Sequence, residues 1–415
     1  MIRYGIVGIG GFAATWVRCL EELEREEIAR LAAAVVRRPD HYRERVERLR
    51  AAGCAIYPDL ETMLAAGRDS LDVIGVPTGI AHHEPMATRA MEAGYNVLIE
   101  KPVAGTVQEV RRLQEVELRT GRWCAVGYQW LHSPTARWIV SRLTTGALGR
   151  VREARAMIAW PRDSVYYGRN AWAGQLRDGD RWILDGPATN ATAHYLTQLL
   201  YYVAAGQGRP IAIEAVRAEL YRARSIPSYD TSCIEVRMPG GARVLHYVSH
   251  AVSRQGDPVI HLQCEGGILD WTGDGDVAGI RYSDGRQEHY ANPAPERVHA
   301  LPLEQTARVA SGEDPAPLCG LAEGGPHVLA INLAFESSLG VRGIPADLLS
   351  RARTPSGGEL VAVEGMEDAL SQAYAAGVLF SDLDLPWAHA TESVPAAGYD
   401  AFPRDPRLAT VLGPL

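Results

Sequence analysis

An apolar stretch, Ile2–Val7, runs directly into Gly8-Ile9-Gly10-Gly11-Phe12-Ala13, and a helical pattern then continues to about Arg25. No other feature restricts the fold so strongly. A strand that bends sharply into a helix needs residues without a Cβ at the bend, and the helix start then presents backbone N–H groups at the turn. The alternation repeats along the next hundred residues. Ile28–Val36 is a second apolar run, Tyr42–Ala52 an Arg/Glu-rich helix, and Asp72–Val76 a strand ending at Pro77. Pro85–Ala93 is a helix closed by Gly94, and Tyr95–Ile99 is a strand ending at Glu100-Lys101-Pro102. Val107–Arg119 is helical and Trp123–Gly127 is one more strand. Strands separated by helices predict right-handed crossovers and a parallel, doubly wound α/β sheet.

Beyond about residue 150 the texture changes. Val151–Ile158, Ile211–Tyr221, Cys233–Met238, Arg243–His250, Ile260–Glu265 and Gly279–Tyr282 read as strands with few helices between them. Such a run predicts an open, mainly antiparallel sheet in an α+β domain. Two helices interrupt it, at about Pro187–Ala204 and Gly325–Leu339. The expected organisation is a nucleotide-binding domain over 1–128, a substrate and oligomerisation domain over 129–380, and an irregular Pro/Ala-rich extension over 381–415.

Composition narrows the function classes. The net charge of −8 argues against a nucleic acid or an anionic membrane as the main partner. No run of apolar residues is long enough to span a bilayer, and no leader pattern precedes Ile2–Val7. The cysteines (Cys19, Cys54, Cys124, Cys233, Cys264, Cys319) are scattered without a Cys-x-x-Cys pair, so neither a disulfide framework nor structural zinc is expected, and the cytoplasm is the expected compartment. His246 and His250 stand in a strand-like run, where residues four apart are separated by roughly 13 Å. They are too distant to chelate one ion, and no metal site is expected.

In the first strand–helix turn, Gly8-x-Gly10-x-x-Ala13 has the spacing that lets backbone approach a pyrophosphate held at the helix start. Gly8, Gly10, Gly11, Phe12 and Ala13 are therefore candidate dinucleotide contacts. After the second strand comes Val36-Arg37-Arg38-Pro39 in place of an acidic residue. Two guanidiniums there suit a ribose 2′-phosphate, so NADP is favoured over NAD; solvated surface arginines are the plainer alternative.

One residue count sharpens the reading. Lys101 is the only lysine, although Lys and Arg together number 42. Lysine differs from arginine in offering a compact ammonium that gives up its proton when desolvated. In a chain that otherwise uses arginine, an isolated lysine at a strand end points to chemistry.

With Gly8–Ala13, then Val76-Pro77-Thr78 followed by His82 and His83, then Ala93-Gly94-Tyr95-Asn96-Val97-Leu98-Ile99-Glu100-Lys101-Pro102, the chain resembles the Gfo/Idh/MocA oxidoreductase family. The resemblance is dense over residues 2–130 and looser afterwards. It implies an N-terminal Rossmann domain, a C-terminal domain with an open antiparallel sheet, and hydride transfer between a nicotinamide and a sugar or cyclitol carbon. It also implies homo-oligomers. By the resemblance, Pro77, Thr78, His82, His83 and Glu100 lie on the cofactor side, and Lys101 sits beside the nicotinamide and hydrogen-bonds the reacting hydroxyl. The family's Asp-x-x-x-His segment, whose His is the general base, is matched by Asn190-Ala191-Thr192-Ala193-His194, with Asn for Asp. Helical residues four apart lie about 5–6 Å from each other. His194 is the expected base, Asn190 an orienting group, and Asp185 a possible source of the missing carboxylate.

Aromatics are dense between Trp160 and Trp182, where Trp160, Tyr166, Tyr167 and Trp172 stand among Arg162, Asp163, Arg169 and Asn170. Rings with polar tips suit the mixed faces of a sugar, so this stretch is a candidate substrate rim, with core or subunit contact as the rival. Tyr128 is a further substrate candidate. In Tyr128-Gln129-Trp130 a tryptophan stands near the position where the family often has arginine, so the resemblance does not carry anion binding over to that point. The sequence thus supports an NAD(P)-dependent oxidoreductase of sugar or cyclitol alcohols. The alternatives are a glycosidase using tightly held NAD for transient oxidation and a non-catalytic nucleotide-binding sensor; the latter has no need of Lys101 or His194.

Overall fold

The computed structural model describes residues 1–68 and 70–413, which divide into two compact units. The first comprises residues 1–104, 108–133 and 294–324. Its sheet contains β1 (Ile2–Val7), β2 (Ala29–Val35), β3 (Ala55–Tyr57), β4 (Val73–Val76), β5 (Asn96–Ile99) and β6 (Cys124–Val126). The order is β3-β2-β1-β4-β5-β6 and every neighbouring pair is parallel. The connecting helices are α1 (Ala13–Arg25), α2 (Arg43–Ala51), α3 (Leu60–Ala66), α4 (His83–Glu92) and α5 (Val107–Thr120). The sequence reading lacked β3, whose three residues are too few to show a period. The strand order reverses between β1 and β4, the point where doubly wound sheets bind ligands beyond their carboxyl ends.

Helix α1 forms because Trp16, Val17, Leu20 and Leu23 recur at helical spacing, and all four are almost fully buried. They pack with Tyr4, Ile6, Val73 and Leu98 of the sheet. Burying each large apolar side chain stabilises by about 1.5–3 kcal/mol. Residues 294–324 return to this core as α9 (Leu301–Ser311): the Tyr4 hydroxyl donates to the Leu303 carbonyl at 2.8 Å and lies 2.7 Å from Thr306 Oγ1. The chain therefore leaves the first unit after Ser133 and re-enters it at Ala294, rather than crossing once near residue 128. A contact between side chains about 300 residues apart leaves no local pattern.

The second unit comprises residues 105–107, 134–293 and 325 onward. Its helices are α6 (Pro134–Thr144), α7 (Ser164–Tyr167), α8 (Ala193–Gln207), most of α10 (Leu321–Ser338), α11 (Met366–Ala376) and α12 (Pro406–Leu412). Its strands are β7 (Val151–Ala159), β8 (Arg177–Asp178), β9 (Arg181–Trp182), β10 (Ala215–Arg222), β11 (Thr231–Met238), β12 (Ala242–Ser249), β13 (Gly256–Cys264), β14 (Gly267–Thr272), β15 (Val277–Tyr282), β16 (Gln287–Ala291), β17 (Arg342–Gly343), β18 (Leu349–Arg353), β19 (Glu359–Val363) and β20 (Val394–Pro395). The main sheet runs β16-β15-β14-β13-β7-β12-β11-β10-β17, with β20 added beside β10. It is largely antiparallel; β7 with β12 and β10 with β17 are the parallel pairs. Two antiparallel steps from β10 through β11 to β12, then a parallel one to β7, make β10, β12 and β7 point the same way. Their carboxyl ends share one edge.

Helices α8 and α11 both pack on β7 and β12, and Leu245, Tyr247, Leu370, Ala373 and Phe380 join in one core. Strand β12 is accordingly buried along nearly its whole length, whereas β14 alternates buried and half-buried positions. The stretch expected to be irregular beyond residue 380 is anchored. The Glu336 carboxylate accepts hydrogen bonds from the Tyr399 hydroxyl (2.9 Å) and the backbone amides of Arg404 (2.6 Å) and Asp405 (3.1 Å). Tyr399, Phe402 and Leu408 are buried. Trp387 is buried as well, β20 pairs with β10 and α12 closes the stretch, so it is not irregular; these anchors are too widely spaced to show a period in the sequence.

Candidate functional site

In the first unit the glycine turn joins β1 to α1. Gly8 and Gly11 take left-handed φ values of +94° and +55°, which residues with a Cβ adopt only under strain. Gly10 needs no special φ; a Cβ there would run into the ring of Tyr42. Arg45, from α2, donates to the Ile9 carbonyl. The segment after β2 thus clasps the turn, which sequence reasoning did not foresee. Phe12, half-exposed, precedes α1 without a side-chain cap, and the first helical turn has no acidic residue. These are the conditions under which a helix start holds phosphate oxygens. Ala13 is buried beneath them. Arg37 and Arg38 are exposed just beyond β2, the neighbour of β1, and neither forms an ion pair among the described residues. The donor set fits a dinucleotide with an anionic ribose substituent.

Strands β4 and β5 pair Val76 with Ile99, so Pro77-Thr78 and Glu100-Lys101 leave the sheet side by side. Fully buried His83 lies between these two loops: Nδ1 is 2.8 Å from the Pro102 carbonyl and Nε2 is 3.1 Å from that of Thr78. Both partners are acceptors, but a neutral imidazole has one N–H. Burial nevertheless pushes the His83 pKa down to about 4 against the opposing pull of these carbonyls. His82, next to it, is exposed. Glu100 is buried and accepts the Lys101 backbone N–H at 3.1 Å. Burial raises its pKa to about 7, with the Lys101 charge and amide and the Trp16 side chain pulling the other way. Gly127 leaves room for it: a Cβ there would stand 3.0 Å from Glu100 Oε1. Lys101 itself is half-buried, and Tyr128 is fully buried.

His299 was not singled out in the sequence. Its ring meets Phe12 edge-on at 5.9 Å, and its pKa is lowered by burial and then by the charges of Arg18 and Lys101. It reaches the glycine turn only because residues 294–324 fold back, so nothing near it in sequence signals the position.

In the second unit the expected continuous helix over 187–204 does not form. Pro187–Ala191 is a π-helical turn, and α8 starts at Ala193. The Thr192 amide reaches back five residues to the Pro187 carbonyl (2.8 Å), and the Thr192 hydroxyl donates to the same oxygen (2.9 Å). Tyr229 braces this turn through the Thr189 amide and hydroxyl at 2.9 and 2.8 Å. Asn190 and His194 therefore do not share one face of a regular α-helix, and the simple four-residue spacing argument fails. Asn190 instead donates its amide to Asp185 Oδ1 at 2.9 Å, while Asp185 Oδ2 accepts the Gly174 amide at 2.7 Å. Asp185 and His194 are both buried. π-turns of this kind frequently accompany functional sites.

The aromatic stretch gathers at the shared edge where β7, β10 and β12 end. Arg162 lies 5.3 Å from the Trp160 ring and 5.1 Å from that of Tyr166. Arg169 stacks 3.8 Å from Tyr166 and 5.3 Å from Trp172. Arg224 stands 5.3 Å from Tyr167, whose hydroxyl is 3.0 Å from His250 Nδ1. Burial and then the charges of Arg162, Arg169 and Arg224 hold the His250 pKa well below its ordinary value. His246, also buried, has its pKa lowered to about 3 by burial.

Residues 2–128 match the model of an oxidoreductase family described as having an NAD-binding Rossmann fold. A dTDP-3,4-didehydro-2,6-dideoxy-alpha-D-glucose 3-reductase from Actinomadura kijaniata is 29% identical over 180 residues, 43% of this chain and 52% of that protein. An alpha-N-acetylgalactosaminidase from Shewanella oneidensis is 25% identical over 181 residues, 41% of this chain and 39% of that protein. The chain thus spans about half the length, or less, of these curated relatives. Among solved structures, the WlbA dehydrogenase from Bordetella pertussis, in complex with NADH and UDP-GlcNAcA, superposes with a TM-score of 0.66 at 22% identity, covering 81% of this chain and 96% of that one. A 3-ketoreductase from Actinomadura kijaniata in complex with NADP gives 0.64 at 20% identity, covering 83% and 98%. At these identities the two structures establish the fold alone.

Proposed function

From the match of residues 2–128 to the model of the Gfo/Idh/MocA oxidoreductase family with its NAD-binding Rossmann fold, we propose that the chain transfers hydride between a nicotinamide and a secondary alcohol or ketone of a sugar or cyclitol. One observation carries the reading. The chain's single lysine follows a buried carboxylate at the carboxyl end of β5, in a loop tied by His83 to the loop after β4. Its ammonium holds the substrate oxygen and stabilises the charge that develops there. His194 exchanges the hydroxyl proton as general base, and Asn190, fixed to Asp185, orients its surroundings. The nicotinamide, when bound, accepts or supplies the hydride.

Gly8, Gly10, Gly11 and Ala13 give the pyrophosphate a backbone surface, and Arg37 and Arg38 hold a 2′-phosphate, which favours NADP over NAD. The relatives fit this reading: one is named as a sugar-nucleotide 3-reductase, and the similar structures hold NADH or NADP. Among the described residues no helix is long and apolar enough to cross a membrane. All six cysteines are free and buried, in keeping with a reducing cytoplasm as the proposed compartment. Assembly as a homo-oligomer belongs to the same proposal and is read by light scattering on the purified chain.

Replacing Lys101 by Met tests the central role: turnover collapses while NADP affinity stays within about twofold. Preserved turnover overturns the assignment. The glycosidase relative keeps a second reading in view. Glycoside cleavage with no net change in nicotinamide absorbance, by a chain purified with cofactor attached, would establish that reading instead.

A further inference from the structure

We propose that the edge of the second unit's sheet where β7, β10 and β12 end is a binding site for an anionic substituent of the substrate, a carboxylate or a phosphate. The inference rests on the oxidoreductase reading for its substrate but on different residues for its support.

Three basic side chains converge there, Arg162 and Arg169 from the segment after β7 and Arg224 from the end of β10, and their pairing differs from that of other arginines. Arg89, Arg150, Arg243 and Arg281, for example, each contact a carboxylate within 3.1 Å. Arg162 and Arg224 form no ion pair among the described residues, and Arg169 approaches Asp185 only to 4.0 Å. Arg162 and Arg169 lie close to the ring of Tyr166, which fixes the planes of both guanidiniums. Arg224 is buried; its Nη2 donates to the carbonyls of Arg162 (2.6 Å) and Glu359 (3.1 Å), so it holds the Arg162 backbone as well as adding charge.

A second, independent observation points to a ligand. His250 is only 2% exposed, Tyr167 occupies its Nδ1, and its buried Nε2 has no hydrogen-bond partner among the described residues. The buried Nε atoms of Arg162 and Arg224 likewise lack partners. Buried polar nitrogens are almost always paired; the two arginine Nε–H groups call for an acceptor, and the imidazole nitrogen adds a third unpaired position in the same cluster. The Arg162 amide donates to the His250 carbonyl at 3.2 Å, and Trp160 to that of Ser249 at 3.1 Å, so the donors stand on one hydrogen-bonded frame. A carboxylate or phosphate offers pairs of acceptor oxygens at the spacing that two N–H groups of a guanidinium match. Asp163, Asp185 and Asp230 lie nearby, and their carboxylates offset part of the cluster's positive charge.

The test is titration of the full chain with UDP, with D-glucuronate and with D-glucose, read by calorimetry and by fluorescence, since Trp160 and Trp172 stack on the arginines in question. The expected result is that UDP or glucuronate binds at least tenfold more tightly than glucose, the preferred probe identifying phosphate or carboxylate. Arg162→Gln and Arg169→Gln each weaken the anionic probe by roughly 10- to 100-fold, with NADPH affinity unchanged. Equal binding of glucose and both anions, no anion binding, or wild-type anion affinity in both variants overturns the site. Arg169 lies on the surface, so its variant reports even if Arg162→Gln fails to fold. Anion binding here by a chain that transfers no hydride to or from NAD(P) with any sugar or cyclitol tested would refute the oxidoreductase reading and leave this site standing. Lys101-dependent turnover of neutral sugars without anion binding would do the reverse.

Discussion

The two units present their functional groups in opposite ways. The first works with backbone: a glycine bend, an uncapped helix start, and two strand-end loops joined by a buried imidazole that bonds only to carbonyls. The second works with side chains: three guanidiniums stacked on aromatic rings, a carboxylate that orients an amide, and a histidine nitrogen with no hydrogen-bond partner among the described residues. A backbone cradle suits a cofactor whose shape is constant. A side-chain surface can be rewritten by single substitutions, which suits discrimination among substrates.

The largest expected effect sharpens this division. Lys101→Met and His194→Asn each lower kcat by ~10²–10⁴-fold with little change in cofactor affinity, measured by steady-state kinetics and nicotinamide fluorescence. Arg169→Gln instead acts on substrate affinity. A Lys101 variant that lost affinity but kept kcat would erase the contrast.

Acid and base should act on the first unit through two buried groups of opposite sign. His83 titrates near 4 in the fold against about 6.5 when unfolded, so its contribution is present above pH 6.5 and is lost as pH falls towards 4. Glu100 titrates near 7 in the fold against 4.5, so its contribution is present below 4.5 and is lost as pH rises through 7. Each amounts to about a few kcal/mol. Urea unfolding across this range should show Glu100→Gln flattening the neutral limb and His83→Gln the acid limb. Unchanged profiles would mean that neither group is buried as described.

Gly10→Ala should cost about 1–3 kcal/mol by overpacking against Tyr42, and Tyr42→Ala should recover most of it in the double variant. Additive losses would separate the two residues. The smallest effect is specificity: Arg37→Ala with Arg38→Ala should narrow the preference for NADP over NAD by roughly tenfold at low salt, with kcat unaltered. An unchanged ratio would leave those arginines as solvated surface.

The same contrast explains what could be read without coordinates. The doubly wound sheet was legible because each strand and its helix lie consecutively, and the glycine turn and Glu100-Lys101 occupy strand ends. The arginine cluster was seen only in part. Arg162 and Arg169 stood among conspicuous aromatics, but Arg224 and His250 arrive from β10 and β12, whose meeting is set by sheet order. His299 was hidden for a similar reason, since its place depends on the return of residues 294–324. The π-turn at Pro187–Ala191 was missed because a proline followed by apolar residues reads as an ordinary helix start; the five-residue hydrogen bond to Thr192 that redirects it is a tertiary choice.

A chain with one ε-amine carries a built-in spectroscopic reporter. Feeding isotopically labelled lysine during expression would yield a single side-chain resonance that needs no assignment. Because Lys101 is half-buried rather than sealed in, that signal would follow cofactor and substrate addition in real time. The same solitude means that an acylating reagent has this amine and the chain's α-amino group to choose between, so ligand protection against labelling could be scored on an intact-mass spectrum.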